Sequence, residues 1–454
     1  MTLAFRPDET NPRVSALLAD LGIDPATVDL AVDARDEMLA FLVESCGGDR
    51  EWALFQYFQS GSSIADSLGQ VLRWRFGAPA RVGSLLDFAS GYGRVTRFLV
   101  REVPPERVWV ADVYADGVRF QAGRFGVHGL VSTVRPEDFA GGGQRFDAIL
   151  VTSLFTHLPE ERFVAWLRVL LGLLNPGGLL AFSAHSPEVL PAGREMPAGG
   201  FLFVATSESG SLDTSDYGST WVTEAFVRSA LERALGPGDP GASLHLVERA
   251  LCNFQDLYLV SPQPGVDFSS LDFQGEPQVF VERAKLAADG RLEVAGWAAV
   301  RNGTVREVEV WLDGERLAAG PVAGERDDVA GVFGETHRRS EWVCRCRLPE
   351  RASRSAAVLR LRAIDGRGRG HVLWAGSVEG LLLASSRLET EHLRDRARHA
   401  EAVLALEQAR TAVAMRALEA RLAAMKASRF WKLRNAWFRL KVRLGWAEPA
   451  EADP

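Results

Sequence analysis

The feature that most constrains the fold is an alternation, between residues 81 and 262, of short apolar runs with segments of helical period. Four runs have the length of buried strands: Ser84–Phe88, Val108–Asp112, Ala148–Val151 and Leu179–Ser183. The accompanying segments fit helices at Arg94–Glu102, Asp116–Phe125, Glu160–Leu174 and Thr223–Leu235. Apolar strands separated by helices are typical of a parallel sheet that is covered on both faces. The sequence therefore predicts an α/β domain over residues 81–262.

The regions on either side of this domain differ from it in pattern. Residues 1–80 have helical periodicity and are interpreted as a helical N-terminal extension, in which 57–61 would fold over a ligand as a lid. Residues 263–276 form a linker, and 277–380 alternate short strands with Asp-Gly and Asn-Gly turns, which predicts a small all-β sandwich. Neither glycine nor proline occurs from 381 to 444, so residues 381–445 are predicted to form one long helix, followed by a disordered tail at 446–454.

Charge and cysteine content exclude several classes of protein. The 454-residue chain carries 52 basic and 59 acidic residues, a net charge of −7, which excludes a generally basic nucleic-acid-binding protein. Four cysteines are too few for a disulfide framework, and the Cys344-x-Cys346 pair lacks a second pair, so we expect no metal site. No secretory signal or membrane span is recognisable, which predicts a cytoplasmic protein.

The most informative motif joins the first predicted strand to its helix. The strand ends in Asp87, continues through small residues at 89, 90, 91 and 93, and is followed by Asp112, 21 residues after Gly91, at the end of the next strand. Small residues let a backbone approach a ligand closely, and an acid at this separation is suited to ribose hydroxyls. A dinucleotide is disfavoured because Asp87 would repel phosphate and attract an ammonium group.

This stretch resembles the class I S-adenosylmethionine-dependent methyltransferases. The resemblance extends from Asp87–Gly93 and the helix start at Gly93–Leu99 to Phe146–Leu158 and to the Pro-Gly-Gly turn within Leu170–Phe182. It implies a Rossmann-like sheet and S-adenosylmethionine as cofactor. Two departures from the family pattern stand out: Ala89 replaces the first glycine, and Arg135 stands where many relatives carry an aspartate for the adenine.

The resemblance also assigns binding roles along the motif. Asp87 and the 89–93 loop would hold the methionine end of the cofactor, Asp112 the ribose, and Glu137 with Asp138 would lie near the adenine. The complete set of residues implied to bind the cofactor is Asp87, Ala89, Ser90, Gly91, Tyr92, Gly93, Asp112, Val113, Glu137, Asp138, Thr152 and Ser153.

Two histidines follow strands at the edge where open α/β sheets bind ligands, and either is a candidate general base. They are His157 after the fourth strand and His185 after the fifth. For each, a purely structural hydrogen-bonding role stays open. In the insertion that follows, Tyr217 and Trp221 are candidates for stacking on the acceptor, the alternative being a surface loop with one anchoring aromatic residue.

The C-terminal third carries no catalytic pattern. The predicted sandwich resembles immunoglobulin-like modules of bacterial glycosyltransferases, and saccharide binding by Trp297, Trp311 or Trp342 competes there with a core role. The long helix has a coiled-coil seam with one stutter, which predicts a homo-oligomer. Residues 426–446 carry seven basic residues and no acidic one, interleaved with aromatic ones. We expect this segment to lie on the anionic inner face of the membrane, a coiled-coil end or a nucleic-acid contact being the alternatives.

The motifs predict a methyltransferase. The resemblance of the accessory parts to those of bacterial glycosyltransferases implies that it O-methylates a sugar or glycan intermediate in bacterial cell-envelope polysaccharide biosynthesis. Methylation of a small metabolite, a lipid or a protein is the second hypothesis. A non-catalytic scaffold of a glycan-assembly complex is the third, and the departures at Ala89 and Arg135 keep it open.

Overall fold

The structure is a computed structural model that describes residues 11–206, 212–237, 241–353, 357–386 and, with gaps, 415–444. The chain divides into two compact units, Met1–Ser385 and Ser386–Pro454. Most of the predicted coiled coil lies outside the described residues.

A seven-stranded sheet forms the centre of the first unit. Its strands are β1 (Leu85–Phe88), β2 (Val108–Asp112), β3 (His128–Val131), β4 (Phe146–Val151), β5 (Leu174–Ala184), β8 (Ser243–Leu251) and β9 (Gln255–Ser261). They are arranged in the order β3-β2-β1-β4-β5-β9-β8, with β1 to β5 parallel and the β8–β9 hairpin antiparallel. The remaining strands of this region, β6 (Phe201–Val204) and β7 (Ser219–Val222), form a separate two-stranded sheet, and Trp221 of β7 also makes an isolated bridge with His185 after β5. The prediction of a Rossmann-like α/β sheet is confirmed.

Helices cover both faces of the sheet, as the apolar strands require. They are α4 (Thr96–Leu99), α5 (Ala115–Phe125), α6 (Glu160–Gly172) and α7 (Glu224–Leu235). Alternate residues of β4 enter opposite cores: Ala148 and Leu150 pack in one, and Ile149 and Val151 pack with α6 and α7 in the other. The helix predicted at 94–102 is α-helical only over its central turn.

The N-terminal extension consists of α1 (Pro12–Asp20), α2 (Glu37–Ser45) and the long α3 (Arg50–Phe76). Arg97 of the motif helix fixes this extension to the sheet. Its buried guanidinium donates hydrogen bonds to the carbonyl oxygens of Asp29 and Ala31, both at 2.9 Å. Three aromatic rings surround it, with centroids 5.3–5.5 Å from Cζ: Tyr57, Phe58 and Phe125. The extension is therefore part of the same packed core rather than a separate layer.

Residues 278–376, called the β region below, form two four-stranded antiparallel sheets that share one core. One sheet has the order β10-β11-β15-β14 and the other β13-β12-β16-β17. Their ranges are β10 (Gln278–Leu286), β11 (Arg291–Ala299), β12 (Val305–Leu312), β13 (Glu315–Pro321), β14 (Gly324–Glu325), β15 (Arg339–Arg347), β16 (Leu359–Asp365) and β17 (Gly370–Gly376). A short helix, α8 (Asp327–Phe333), lies between β14 and β15. Trp342 belongs to the core, whereas Trp297 does not.

In the second unit the basic-aromatic segment is helical over Arg429–Arg443, helix α9, with Ser428 as its N-cap. No helix within the described parts of the chain has the length and apolar character needed to span a membrane.

Candidate active site

A cavity of about 460 Å³ opens at the carboxyl ends of β1 to β4, where the topology of such sheets places ligands. Nine residues of the predicted cofactor set line it: Asp87, Ala89, Ser90, Gly91, Tyr92, Asp112, Val113, Thr152 and Ser153. Gly93 does not line the cavity. Its backbone is in the left-handed region at φ 81°, and a Cβ there would lie 2.4 Å from the Phe125 ring, so this glycine is required by packing.

Asp87 supplies an unsatisfied buried acceptor at one end of the cavity. Its side chain is buried, and Oδ2 accepts a hydrogen bond of 2.6 Å from the Thr96 hydroxyl. Oδ1 has no partner, which is costly for a buried carboxyl oxygen. Burial raises the pKa of Asp87 to about 7, the Thr96 hydrogen bond opposes that shift, and the Asp112 charge adds to it. An ammonium group of a ligand would satisfy Oδ1 and stabilise the charged form.

The loop after Asp87 brings its backbone close to the cavity. Ala89, in place of the usual glycine, adopts φ 58°, and Gly91 adopts φ 56°. The left-handed region is strained for alanine by about 1–2 kcal/mol. The loop packs closely against α5 at Gly117. A Cβ at that position would lie 2.5 Å from the Gly91 carbonyl oxygen, so the close approach depends on the glycine.

Asp112 closes the second strand as a preorganised acceptor. It is 6% exposed; Oδ2 accepts a hydrogen bond of 2.8 Å from the Gly91 amide and Oδ1 one of 2.9 Å from the Tyr114 amide. Burial raises its pKa, while these backbone hydrogen bonds favour the charged form. A carboxylate has about four acceptor positions, so Asp112 can accept a further hydrogen bond from a hydroxyl such as those of a ribose.

The residues after β3 differ from those predicted to lie near the adenine. Glu137 and Asp138 do not line the cavity: they lie in an exposed 3₁₀ turn and pair with Arg135, Glu137 at 2.9 Å and Asp138 at 3.6 Å. The cavity is lined there by residues 132–134, directly after β3. The sequence did not reveal β3 because its residues are mostly exposed and form no apolar run.

His157, after β4, lines the cavity with one tautomer favoured. Its Nδ1 is 2.7 Å from the carbonyl oxygen of Gly218, which only accepts, so Nδ1 carries the proton and Nε2 is left as the basic nitrogen. Burial lowers the pKa of His157 and the Gly218 hydrogen bond opposes that shift, so the ring is neutral at pH 7. Tyr217 stacks on it, with centroids 4.4 Å apart, and both residues line the cavity.

His185 and Trp221 do not reach the cavity, contrary to expectation. His185 packs between Trp221 and Phe254, at centroid distances of 5.8 and 4.9 Å, and burial lowers its pKa to about 4. The Trp221 indole is buried and donates a 3.2 Å hydrogen bond to the carbonyl oxygen of Val189. Both residues anchor β7 beside β5, which is the structural alternative that the sequence left open.

Several lining residues were not predicted. Asp36 caps α2 and accepts a 2.5 Å hydrogen bond from the Tyr57 hydroxyl, and Arg94 donates to the Ser60 hydroxyl at 2.7 Å. The expected lid segment, 57–61, belongs to α3 and does not line the cavity. The N-terminal residues that line the cavity come from the start of α2. On the histidine side, the cavity is bordered by three charged residues: Arg162, Asp213 and Asp216.

Comparison with known proteins identifies the domain. Residues 86–180 match the family model described as a methyltransferase domain. Among solved structures, the chain is similar to DesVI of Streptomyces venezuelae, with 19% identity over 46% of this chain and 92% of that chain and a TM-score of 0.33. It is similar to the sugar N-methyltransferase KedS8 from Streptoalloteichus, with 17% identity, 44% and 87% coverage and a TM-score of 0.33. No curated protein matches the chain.

The match to the methyltransferase-domain model and the geometry of the site agree on the cofactor. The chain contains a methyltransferase domain, and S-adenosylmethionine is its cofactor. The orphaned Asp87 oxygen, the backbone-bonded Asp112 carboxylate and the open loop fit its ammonium, ribose and chain. Within the described residues, no group of three or more histidine, cysteine or acidic side chains is arranged to hold a metal ion.

Proposed function

We propose that this S-adenosylmethionine-dependent methyltransferase methylates a hydroxyl group of a sugar or glycan intermediate in bacterial cell-envelope polysaccharide assembly. When bound, S-adenosylmethionine supplies an activated methyl group. The chain has to hold the acceptor oxygen in line and take up its proton.

The state of His157 is the main reason for proposing a hydroxyl group as the methyl acceptor. Its Nδ1 proton is donated to the Gly218 carbonyl, its lowered pKa favours the neutral ring at pH 7, and it lines the same cavity as Asp87. A neutral imidazole with a free basic nitrogen is suited to accept the proton that a hydroxyl loses. We assign His157 as the general base and Tyr217 as the residue that holds its ring plane.

The acceptor class is supported by the side chains around His157. An aromatic ring and planar hydrogen-bonding groups, here Tyr217, Arg162 and Asp216, are the combination that a sugar ring with apolar faces and polar edges requires. The Arg162 guanidinium lies 3.4 Å from the Asp216 carboxylate, which keeps both polar groups at the rim. A small metabolite is the second candidate, because a 460 Å³ cavity must accommodate the cofactor as well.

A labelling experiment tests this proposal. The full chain is incubated with S-adenosylmethionine carrying a carbon-13 methyl group and with a panel of nucleotide sugars and defined oligosaccharides. We expect the proton–carbon correlation of an O-methyl group in a saccharide product, absent with His157→Gln. An N-methyl product, or labelling of metabolites but of no saccharide, would contradict the proposal.

We further propose that α9 attaches the protein peripherally to an anionic membrane. Leu433 and Trp437 are 70% and 54% exposed, so an apolar surface is available. Arg434 and Lys441 fall between the apolar stripes of the helix, but their cations lie over the rings of Trp431 and Trp437, at 4.7 and 5.5 Å. Long cationic side chains that pack on indoles in this way can keep their charges at the headgroup level.

The β region and the long C-terminal segment are accessory in this proposal. We propose that the two four-stranded sheets are the immunoglobulin-like sandwich that the sequence resembles. Self-association through the coiled coil stays a prediction, since most of its seam falls outside the described residues.

A further inference from the structure

A second cavity, of about 290 Å³, lies where the β region meets the β8–β9 hairpin of the catalytic sheet. Trp297 of β11 and Phe333 of α8 contribute from one side, and Arg249 and Asn253 of the hairpin from the other. None of these residues belongs to the cofactor cavity.

The aromatic side of this cavity is not explained by the core of the β region. Trp297 is half-buried, lies outside the shared core and is parallel to Phe280, with an interplanar angle of 15° and centroids 5.9 Å apart. Phe333 is tilted against it at 5.7 Å, and the neighbouring Val332 is 66% exposed. Partly exposed aromatic rings that border a concavity are typical of ligand sites.

The polar side is rigidly held. Arg249 and Arg301 both bind the same carboxylate oxygen of Glu188, at 3.1 and 2.9 Å, and Arg301 also lies 5.9 Å from the Phe333 ring. Two guanidiniums that share one carboxylate keep further N–H donors available.

The hairpin connects this cavity to the active site. Two residues after Asn253, the Gln255 side chain exchanges hydrogen bonds with Ser153 of the cofactor cavity, the amide donating at 3.0 Å. Phe254, between them in the chain, is 50% exposed at the hairpin tip. The hairpin tip lies at the carboxyl end of β5, because Ala184 pairs with Asp256, so both cavities open near one edge of the sheet.

We propose that this second cavity binds a sugar unit of the acceptor glycan away from the hydroxyl that is methylated. The inference rests on the proposed function for its acceptor class. The Trp297 and Phe333 rings would contact the apolar face of that unit, and Arg249, Arg301 and Asn253 would bind its hydroxyls. Such a site lets the enzyme select an extended glycan over a free monosaccharide.

The test is glycan binding by the full chain. An array of defined bacterial surface oligosaccharides of three or more units is probed with the wild type. The strongest ligand is then titrated into two variants of the cavity, Trp297→Ala and Trp297→Phe. The control variant is Trp311→Ala, because Trp311 belongs to the other sheet of the β region. We expect Trp297→Ala to weaken binding about tenfold or more and Trp297→Phe to retain most of it. The affinity for S-adenosylhomocysteine should be unchanged in all three.

Two outcomes overturn this inference: no array glycan binds the wild type, or Trp297→Ala binds the oligosaccharide as tightly as Trp311→Ala does. Methylation of the bound glycan is scored separately. If Trp297-dependent binding is found but the wild type transfers no methyl group to that glycan, the proposed function fails while the site stands. If monosaccharides are methylated and Trp297→Ala changes nothing, the site fails while the proposed function stands.

Discussion

The rings of His157 and Tyr217 lie face to face, with centroids 4.4 Å apart and planes 18° from parallel. His157 follows β4, and Tyr217 precedes β7, so the stack joins the sheet to the insertion that covers its edge. Backbone hydrogen bonds reinforce the junction: the Gly218 amide donates to the His157 carbonyl at 2.8 Å, and the Thr220 amide to the Thr156 carbonyl at 2.7 Å. The candidate base is therefore positioned by two elements that are 60 residues apart in the sequence.

Removing the imidazole tests this assignment. We expect His157→Gln to lower kcat about a hundredfold to ten-thousandfold, because the acceptor proton loses its base, with S-adenosylhomocysteine affinity unchanged. In the matched variant His185→Gln, kcat should be retained and thermal stability reduced, since His185 packs between aromatic rings and does not line the cavity. Equal kcat losses in both variants would contradict the assignment.

The pH profile gives a second, independent readout. Burial lowers the pKa of His157 below 6.5, so the neutral, basic ring persists into mildly acidic solution. We expect kcat to fall on the acid side with a midpoint below the ordinary pKa of histidine, measured with the acceptor found by carbon-13 labelling. A decrease that begins well above pH 7 would show that a different group supplies the base.

Asp87 should trade stability for cofactor binding. Its pKa is about 7 in the folded protein against 3.8 ordinarily, so the folded state binds a proton more tightly than the unfolded state and loses stability as the pH rises from about 4 to 7. At pH 8, Asp87→Asn should raise the unfolding free energy of the ligand-free protein by about 1–3 kcal/mol.

The same substitution should weaken S-adenosylhomocysteine binding. In the wild type we expect the affinity to rise between pH 6 and pH 7.5, as the Asp87 carboxyl ionises, and in Asp87→Asn this rise should be absent. Asp138→Asn is the control, since that carboxylate is exposed and outside the cavity. A variant that binds as tightly as the wild type would mean that the ammonium group does not meet Asp87.

The sequence was sufficient for the parts of the site that depend on chain order. Asp87, the 89–93 loop and Asp112 follow buried apolar strands, and a parallel sheet places such positions at one edge. The sequence was insufficient for residues whose position relative to the cavity depends on packing between distant parts of the chain. Glu137 and Asp138 miss the cavity because β3 ends earlier than the motif spacing suggested, and Asp36 enters it because Arg97 fixes residues 29–31 of the extension to the sheet. Neither the end of β3 nor the contact between Arg97 and residues 29–31 is indicated by a pattern in the neighbouring sequence.

Ala89 carries backbone strain that a glycine would relieve. At φ 58°, alanine is strained by about 1–2 kcal/mol, partly offset by the entropy that glycine loses on folding. We expect Ala89→Gly to raise the unfolding free energy by about 0.5–1 kcal/mol in denaturant titrations, with cofactor affinity kept. Ala122→Gly, within helix α5, should instead lower it by about 0.5–1 kcal/mol. A lower unfolding free energy in Ala89→Gly than in the wild type would contradict the inference that the Ala89 backbone is strained.

Membrane attachment through α9 is tested by flotation with liposomes. The full chain should float with vesicles that contain anionic phospholipid and not with neutral ones, and flotation should weaken as salt increases. Trp437→Ala combined with Leu433→Ala removes exposed apolar surface and should abolish flotation, whereas the array-based glycan affinity should be unaffected. Equal flotation of the double variant and the wild type would exclude α9 as the membrane contact.

The most direct test of the cofactor site is a calorimetric titration of the full chain with S-adenosylmethionine and then with S-adenosylhomocysteine. The geometry predicts one site per chain for each compound. Asp112→Ala should lose most of the affinity, because it removes the carboxylate that the Gly91 and Tyr114 amides hold in place for the ribose hydroxyls. Absence of binding to both compounds, or an Asp112→Ala affinity equal to that of the wild type, would contradict the site described above.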